Sequence, residues 1–172
     1  MKSLLQTILA VLTMGLVAEA NPAADRNFKK GLAMHNARSC GALSEHETSG
    51  WWYSWGAKSG FDNSFCDDPV SAEADARGSG MEFIPMFWSS VPDFDSANSR
   101  MVDDEIHSNL EQTEYILTFN EPELEGQANI SPTEAAEIWA DIEAIAAAYN
   151  VEIVAPCTTS GHGVAWYDEW ST

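Results

Sequence analysis

Short apolar runs separated by polar or amphipathic segments dominate the pattern of the chain. Runs of about four to eight apolar, β-branched or aromatic residues, bounded by Gly, Pro, Asn or Asp, are typical of buried β-strands. Such runs predict strands over residues 31–35, 51–56, 82–88, 115–119 and 151–156. Pro85 lies inside the third run and has no N–H to donate to a ladder, so it weakens the predicted pairing of that strand but not its existence.

Helical signals fill several of the intervals between these runs. The clearest is Ser131-Pro132-Thr133-Glu134, a capping box with proline at the first helical position, and Asn150 is a suitable helix end. Apolar residues at fourfold spacing predict a second helix over residues 99–110, and shorter helices are predicted over 40–49 and 165–170. The helix that follows Ser131 has one apolar face, formed by Ile138, Ile142, Ile145 and Tyr149, with Trp139 and Ala146 beside it.

The alternation of strands and helices predicts an α/β fold with a parallel sheet and right-handed crossovers. The strand ends at Trp55, Trp88, Glu121 and Pro156 recur at nearly even intervals, close to the roughly 31 residues per unit of a (β/α)8 TIM barrel. By this count the chain holds about five of the eight strands of a barrel. A five-stranded doubly wound sheet is the competing architecture, and the lack of a glycine-rich phosphate-binding loop after any predicted strand argues against it.

Polar and aromatic residues stand at or just past the predicted strand ends, namely His35, Asn36, Trp55, Trp88, Asn120 and Glu121. Because the carboxyl ends of parallel strands meet at one rim, we expect these side chains to converge. Aromatic faces stack on the apolar faces of sugar rings, while amides and carboxylates bond the hydroxyl groups. Glu121 directly follows a buried strand, which makes it a candidate for proton transfer. A solvated Glu in an ordinary turn is the alternative for this short motif, and a lone histidine such as His35 more often only donates or accepts a hydrogen bond.

Charge and the N-terminal segment indicate a secreted protein. The net charge of -19 argues against binding to nucleic acid or to anionic membranes. Lys2, the apolar residues 4–17 and the small-x-small site Ala18-Glu19-Ala20 predict a signal peptide over residues 1–20. The apolar run is shorter than the roughly 20 residues that span a bilayer. The mature domain is therefore predicted to cover residues 21–172, in the extracellular space or the cell wall.

Cysteine usage and spacing predict no metal site or organic cofactor. Among the three cysteines, a Cys40–Cys66 disulfide is plausible and would leave Cys157 without a partner. No Cys-x-x-Cys or Cys/His spacing typical of zinc ligands occurs. Asn129-Ile130-Ser131 is a glycosylation sequon, weakened by the proline that follows it.

Several motifs occur in the order found in one known family. They are Trp52-Tyr53-Ser54-Trp55-Gly56, the run over residues 82–88, Phe119-Asn120-Glu121-Pro122-Glu123, the segment 127–132 and Trp166-Tyr167-Asp168. From about Gly31 to the last residue the chain resembles fungal glycoside hydrolases of the alkali-sensitive-linkage type, the glycosyl hydrolase catalytic core family that includes endo-β-1,3-glucanases. These ordered motifs are more specific for the family than for a particular glucan.

The resemblance implies a retaining β-glucan hydrolase, with β-1,3-glucan as the expected substrate, on a (β/α)8 barrel. Asn120 and Glu121 match the family's Asn-Glu at the end of strand four, which implies that Glu121 is the acid/base and that Asn120 bonds the sugar 2-hydroxyl. Trp55, Trp88 and Trp166 match aromatic motifs near the substrate groove, so the resemblance implies that they bind the polysaccharide.

The resemblance also implies that part of the machinery is missing. The family's nucleophile is a Glu on strand seven, beyond the strands predicted here, and retaining chemistry needs two carboxylates about 5–5.5 Å apart. Glu123, Glu125 and Glu169 are the other acidic residues near the motifs, and nothing in their spacing holds them at that distance. We therefore expect low activity from this polypeptide alone. A non-catalytic cell-wall glycan-binding protein and an inactive fragment of a gene model are the alternatives.

Overall fold

The computed structural model describes residues 30–34, 50–59, 73, 74, 77, 80–159 and 161–172. The strands are β1 (Gly31–Ala33), β2 (Trp51–Tyr53), β3 (Glu82–Phe83), β4 (Met86–Phe87), β5 (Phe94–Asp95), β6 (Arg100–Met101), β7 (Tyr115–Thr118) and β8 (Glu152–Val154). The helices are α1 (Asp104–Leu110), α2 (Pro132–Tyr149) and α3 (His162–Trp170). The predicted signal peptide, the helix over 40–49 and the residues His35, Asn36, Cys40 and Cys66 lie outside the described residues.

Two parallel sheets meet at Pro85. One has the strand order β1-β2-β3 and the other has the order β4-β7-β8. The Ile84 N–H donates to the Trp52 carbonyl, and the Leu117 N–H donates to the Pro85 carbonyl, each at 2.9 Å. The proline therefore interrupts the third predicted strand, which the structure divides into β3 and β4, but its carbonyl still accepts a bond across the break. The predicted α/β class and parallel pairing are confirmed.

The two faces of the sheets differ in what covers them. On one face, Phe87 and Ile116 are buried in the main core with Ile142 and Ile145 of α2. The other face forms an apolar groove of about 300 Å³, lined by Trp51, Glu82, Ile84, Tyr115, Leu117 and Val154. Because successive side chains of a strand alternate between faces, β7 contributes to both. Helices pack on one face, and the opposite face is the groove.

Gly31 sets how closely Trp51 approaches the sheet. These two residues are partners in the register of β1 and β2. A Cβ placed on Gly31 would lie only 2.0 Å from Cε2 of the Trp51 indole. Any side chain at position 31 would therefore displace the ring, and the missing Cβ is what allows this close approach.

The long helix α2 begins and ends as its sequence predicts. The Ser131 Oγ accepts from the Glu134 N–H at 3.2 Å, and a Glu134 carboxylate oxygen accepts from the Ser131 N–H at 2.9 Å. The bond from the Ser131 N–H, followed by one from the Ser131 hydroxyl to the same carboxylate at 2.8 Å, holds the pKa of Glu134 below its ordinary value. Asn150 ends the helix in the left-handed conformation, with φ of 55°. The buried face of the helix comprises Ala135, Ile142, Ile145 and Ala146.

The helix predicted over residues 99–110 is wrong in its first turn. Residues 100 and 101 form β6, which pairs antiparallel with β5, and the helix α1 begins only at Asp104. The Asp103 carboxylate accepts hydrogen bonds from the N–H groups of Glu105 and Ile106, which fixes the start of the helix. Val102, which supported the longer helix, is 61% exposed, so the fourfold spacing spans two different elements. None of the helices within the described ranges is long and apolar enough to cross a bilayer.

We predict that Ser131→Ala lowers the free energy of unfolding by about 1 kcal/mol, because the Glu134 N–H loses its acceptor at the start of α2. Urea denaturation measures the effect, and Ser131→Thr is the matched control because it keeps a hydroxyl oxygen at the cap. Equal stability of the two variants would contradict the assigned role of the capping box.

Candidate active site

The segment after β7 leaves the sheet between two neighbouring strand ends. The Asn120 N–H donates to the Trp88 carbonyl at 3.0 Å, next to the end of β4. On the other side, the Glu121 N–H donates to the Cys157 carbonyl at 2.8 Å, and the Cys157 N–H donates to the Phe119 carbonyl at 3.2 Å. The parallel ladder thus continues past the last residues of β7 and fixes the backbone of Asn120 and Glu121 at the rim.

Glu121 has an unusual backbone conformation. Its φ is 45°, in the left-handed region that residues other than glycine rarely occupy. Such a conformation costs about 1–2 kcal/mol and persists where the surroundings hold it. The Glu121 carbonyl accepts from the Leu124 N–H at 3.1 Å, so the chain turns immediately after the carboxylate. Glu121 itself is half-buried. Backbone strain at an acidic residue on a strand end is typical of a functional position.

Gln127 fixes the orientation of the Asn120 side chain. The Asn120 Nδ2 donates to the Gln127 Oε1 at 3.0 Å, and the Ala128 N–H donates to the Asn120 carbonyl at 3.2 Å. With the amide nitrogen bound in this way, the Asn120 Oδ1 is the atom left to accept from another group. Gln127 lies in one of the ordered motifs, but the sequence does not predict this role, since the contact depends on how the loop folds back.

Aromatic side chains stand at the ends of two other strands. Trp88 follows β4 and is half-buried. Trp55 follows β2 in the left-handed conformation, with φ of 58°, and its ring centroid lies 4.9 Å from that of Tyr53. Burial, and then the nearby Cys157, raises the pKa of Tyr53, so its phenol is a hydrogen-bond donor at neutral pH.

Trp166 has a different environment from Trp55 and Trp88. It is only 7% exposed and belongs to the main core. Its indole N–H donates to the Ile130 carbonyl at 2.8 Å, and its ring stacks on Trp170 with centroids 5.9 Å apart. The structure thus uses Trp166 to pack α3 against the segment before α2. Its role in substrate binding stays a prediction, and its burial favours packing.

The other acidic residues near the motifs have separate surroundings. The Glu123 Oε1 accepts from the Thr159 N–H at 2.6 Å and from the Thr159 Oγ1 at 2.5 Å. Glu125 is exposed in the loop, and Glu169 is exposed on α3. Cys157 is exposed and forms no disulfide with any residue that the structure describes. Within the described ranges, no group of three or more His, Cys, Asp and Glu side chains is placed to hold a metal ion.

The sequence places this arrangement in a known class. Residues 31–172 match the family model described as "Glycosyl hydrolase catalytic core", and the chain belongs to this family. The family predicted from the ordered motifs is thereby confirmed, while its alkali-sensitive-linkage type and fungal origin stay predictions. No curated protein matches the chain significantly.

The chain is similar to solved structures of GH128 β-1,3-glucanases. The chain is 29% identical to a GH128 (subgroup II) endo-β-1,3-glucanase from Pseudomonas viridiflava, with a TM-score of 0.59, covering 82% of this chain and 52% of that one. For the corresponding enzyme from Sorangium cellulosum the values are 26% identity, a TM-score of 0.57, and coverage of 82% and 53%. The chain is 25% identical to a mutant of a GH128 (subgroup I) endo-β-1,3-glucanase from Amycolatopsis mediterranei in complex with laminarihexaose. The TM-score is 0.54, and the match covers 83% of this chain and 50% of that one. The chain spans about half the length of the solved structures it matches.

We predict that Glu121→Gly is more stable than Glu121→Ala by about 0.5–1 kcal/mol, because glycine adopts a positive φ without steric cost. The comparison is made by urea denaturation of both variants. The matched pair is Glu125→Gly and Glu125→Ala, at an exposed position of the same loop that is outside the left-handed region. There the glycine variant is expected to be the less stable one. The same order at both positions would show that Glu121 is not strained.

Proposed function

We propose that the protein is a secreted β-glucan hydrolase domain that acts on β-1,3-glucan with retention of configuration. The observation that carries this proposal is the position of Glu121, held by the backbone at the carboxyl end of a parallel strand between Trp88 and Cys157. Membership of the glycosyl hydrolase catalytic core family and the similarity to endo-β-1,3-glucanases support it. The net charge of -19 suits a neutral polymer better than a polyanion.

In this proposal the parallel sheets are about five strands of a (β/α)8 barrel. The domain spans residues 21–172 and follows a signal peptide over residues 1–20. The bonds that connect the two sheets across Pro85, and the packing of the described helix α2 on one face while the opposite face forms the groove, support a barrel wall. The apolar groove on the opposite face then corresponds to the barrel interior, which side chains fill in a closed barrel.

The proposed chemistry begins with Glu121 as the general acid. Its carboxyl group protonates the glycosidic oxygen while the second carboxylate of the retaining mechanism bonds to the anomeric carbon and the glycosidic bond breaks. The Glu121 carboxylate then takes a proton from the water that attacks the anomeric carbon and displaces that second carboxylate. Asn120 accepts a hydrogen bond from the 2-hydroxyl of the sugar through Oδ1, since its nitrogen is bound to Gln127. Trp55 and Trp88 provide faces on which glucose rings stack.

The second carboxylate of a retaining mechanism is assigned outside this chain, to the Glu on strand seven that the family resemblance implies. Glu123 is engaged by Thr159, and Glu125 is exposed at the tip of its loop. With the acid/base and the sugar-binding residues but no assigned nucleophile, the protein is expected to bind oligosaccharide better than it cleaves it. A glycan-binding role without catalysis is the second candidate, favoured by the aromatic residues of the rim.

We predict that the purified protein binds laminarihexaose in isothermal titration calorimetry and releases little reducing sugar from laminarin. Glu121→Gln is expected to keep the oligosaccharide affinity, because the amide preserves the shape and the hydrogen-bonding oxygen. Turnover close to that of a whole endo-β-1,3-glucanase would contradict the assignment of the nucleophile outside this chain. The absence of any binding would contradict β-1,3-glucan as the ligand.

We further predict that Trp88→Ala weakens laminarihexaose binding by about 3- to 10-fold, from the loss of one stacking face. Trp88→Phe is the matched control, since it keeps an aromatic face and should keep most of the affinity. The dissociation constants come from the same calorimetric titration. Similar affinities for the two variants would remove Trp88 from the proposed site.

A further inference from the structure

Glu123 binds the loop that follows β8 rather than extending into solvent. Its Oε1 accepts two hydrogen bonds from one residue, from the Thr159 N–H at 2.6 Å and from the Thr159 Oγ1 at 2.5 Å. Hydrogen bonds to an ionised acceptor are stronger than those between neutral groups. The contact spans 36 residues of sequence and joins the loops that follow the paired strands β7 and β8, just beyond the last backbone bonds between them.

The first turn of α3 closes over this contact. A Cβ placed on Gly163 would lie 2.3 Å from the Thr158 Cβ and 3.1 Å from the Glu123 Oε1, so only glycine fits there without a shift. The helix begins after Gly161 with no side-chain cap. A carboxylate close to the first turn of a helix is stabilised by the N–H groups and the dipole of that helix. Both the charge of Glu123 and the absence of a side chain at position 163 therefore suit this arrangement.

Together with the backbone bond at Glu121, the contact closes a short ring. The Glu121 N–H donates to the Cys157 carbonyl at 2.8 Å, and two residues later in each loop Glu123 meets Thr159. Pro122, which is buried, lies between the two tethers and restricts the backbone because its own φ is fixed. Because the ring is so short, loss of the contact between Glu123 and Thr159 allows Glu121 to move.

We propose that Glu123 is a positioning residue that holds Glu121 in its left-handed conformation by tying the loop after β7 to the loop after β8. The strain at Glu121 is retained because two tethers, at Cys157 and at Thr159, restrain the residue from the same side. The importance of this position for catalysis rests on the proposed function, whereas the restraint itself does not.

The restraint is tested by amide hydrogen exchange of the full chain, read by NMR. In Glu123→Ala, exchange at the Glu121 N–H is expected to accelerate about tenfold or more, as expected for loss of hydrogen bonds to a charged group. Amides within α2, such as that of Ile142, should keep their rates. Glu123→Gln, which keeps an acceptor oxygen, and Thr159→Val, which removes only the hydroxyl, are expected to show smaller accelerations. Both serve as second variants if Glu123→Ala folds poorly.

Glu125→Ala is the matched control, because it removes an exposed carboxylate from the same loop and should leave the exchange rate of Glu121 unchanged. An unchanged rate at Glu121 in the Glu123 and Thr159 variants would overturn the proposal. So would an equal acceleration of Glu121 and the α2 amides, which would indicate a general loss of stability instead of a local restraint.

Binding of laminarihexaose separates this proposal from the proposed function. If the unaltered protein binds the oligosaccharide, Glu123→Ala should weaken the affinity about threefold or more while Glu125→Ala does not. Unchanged affinity together with faster exchange at Glu121 would overturn the positioning of the sugar site by Glu123. If the unaltered protein does not bind, the proposed function fails, and the exchange rates still decide whether Glu123 restrains Glu121.

Discussion

The hydrogen bond from the Leu117 N–H to the Pro85 carbonyl makes one continuous wall out of two short sheets. Proline removes a donor from the middle of a strand, and this would ordinarily leave the strands on either side unconnected. Here the Pro85 carbonyl accepts a bond from β7 on one side. On the other side, the N–H groups of Ile84 and Met86 donate to carbonyls of β2 and the segment that follows it, so the pairing continues across the break. The strand ends that carry Trp55, Trp88 and Glu121 therefore belong to one run of hydrogen-bonded backbone.

Sequence signals that depend only on neighbouring residues predicted many of the strands and helices. The capping box at Ser131 and the left-handed Asn150 gave the bounds of α2 because both depend on residues close in sequence. The strand ends were also visible, since an apolar run that stops at Asn120 or at Trp88 has few alternatives. The first turn of α1 was missed because fourfold apolar spacing does not reveal that Asp103 caps the helix and that the preceding residues pair with β5.

The parts of the site that could not be predicted depend on contacts between distant loops. The contact between Glu123 and Thr159 needs both loops to be folded, and nothing in either segment marks its partner. For Trp166, too, the prediction from the sequence depended on contacts that only the folded chain makes. Its motif suggested a sugar-binding face, but whether an indole is exposed depends on how α3 packs, and here the ring is covered by Trp170 and its N–H is bound to Ile130.

The close approach of Trp51 to Gly31 has a consequence for the shape of the groove. The Trp51 indole occupies the space that a Cβ of residue 31 would take, so the ring lies against the backbone of β1 at that end of the groove. Even a methyl group at position 31 would displace the ring and change the volume beside it. A single hydrogen in place of a side chain, far from the carboxylate at the rim, thereby determines how much apolar material this concavity accommodates.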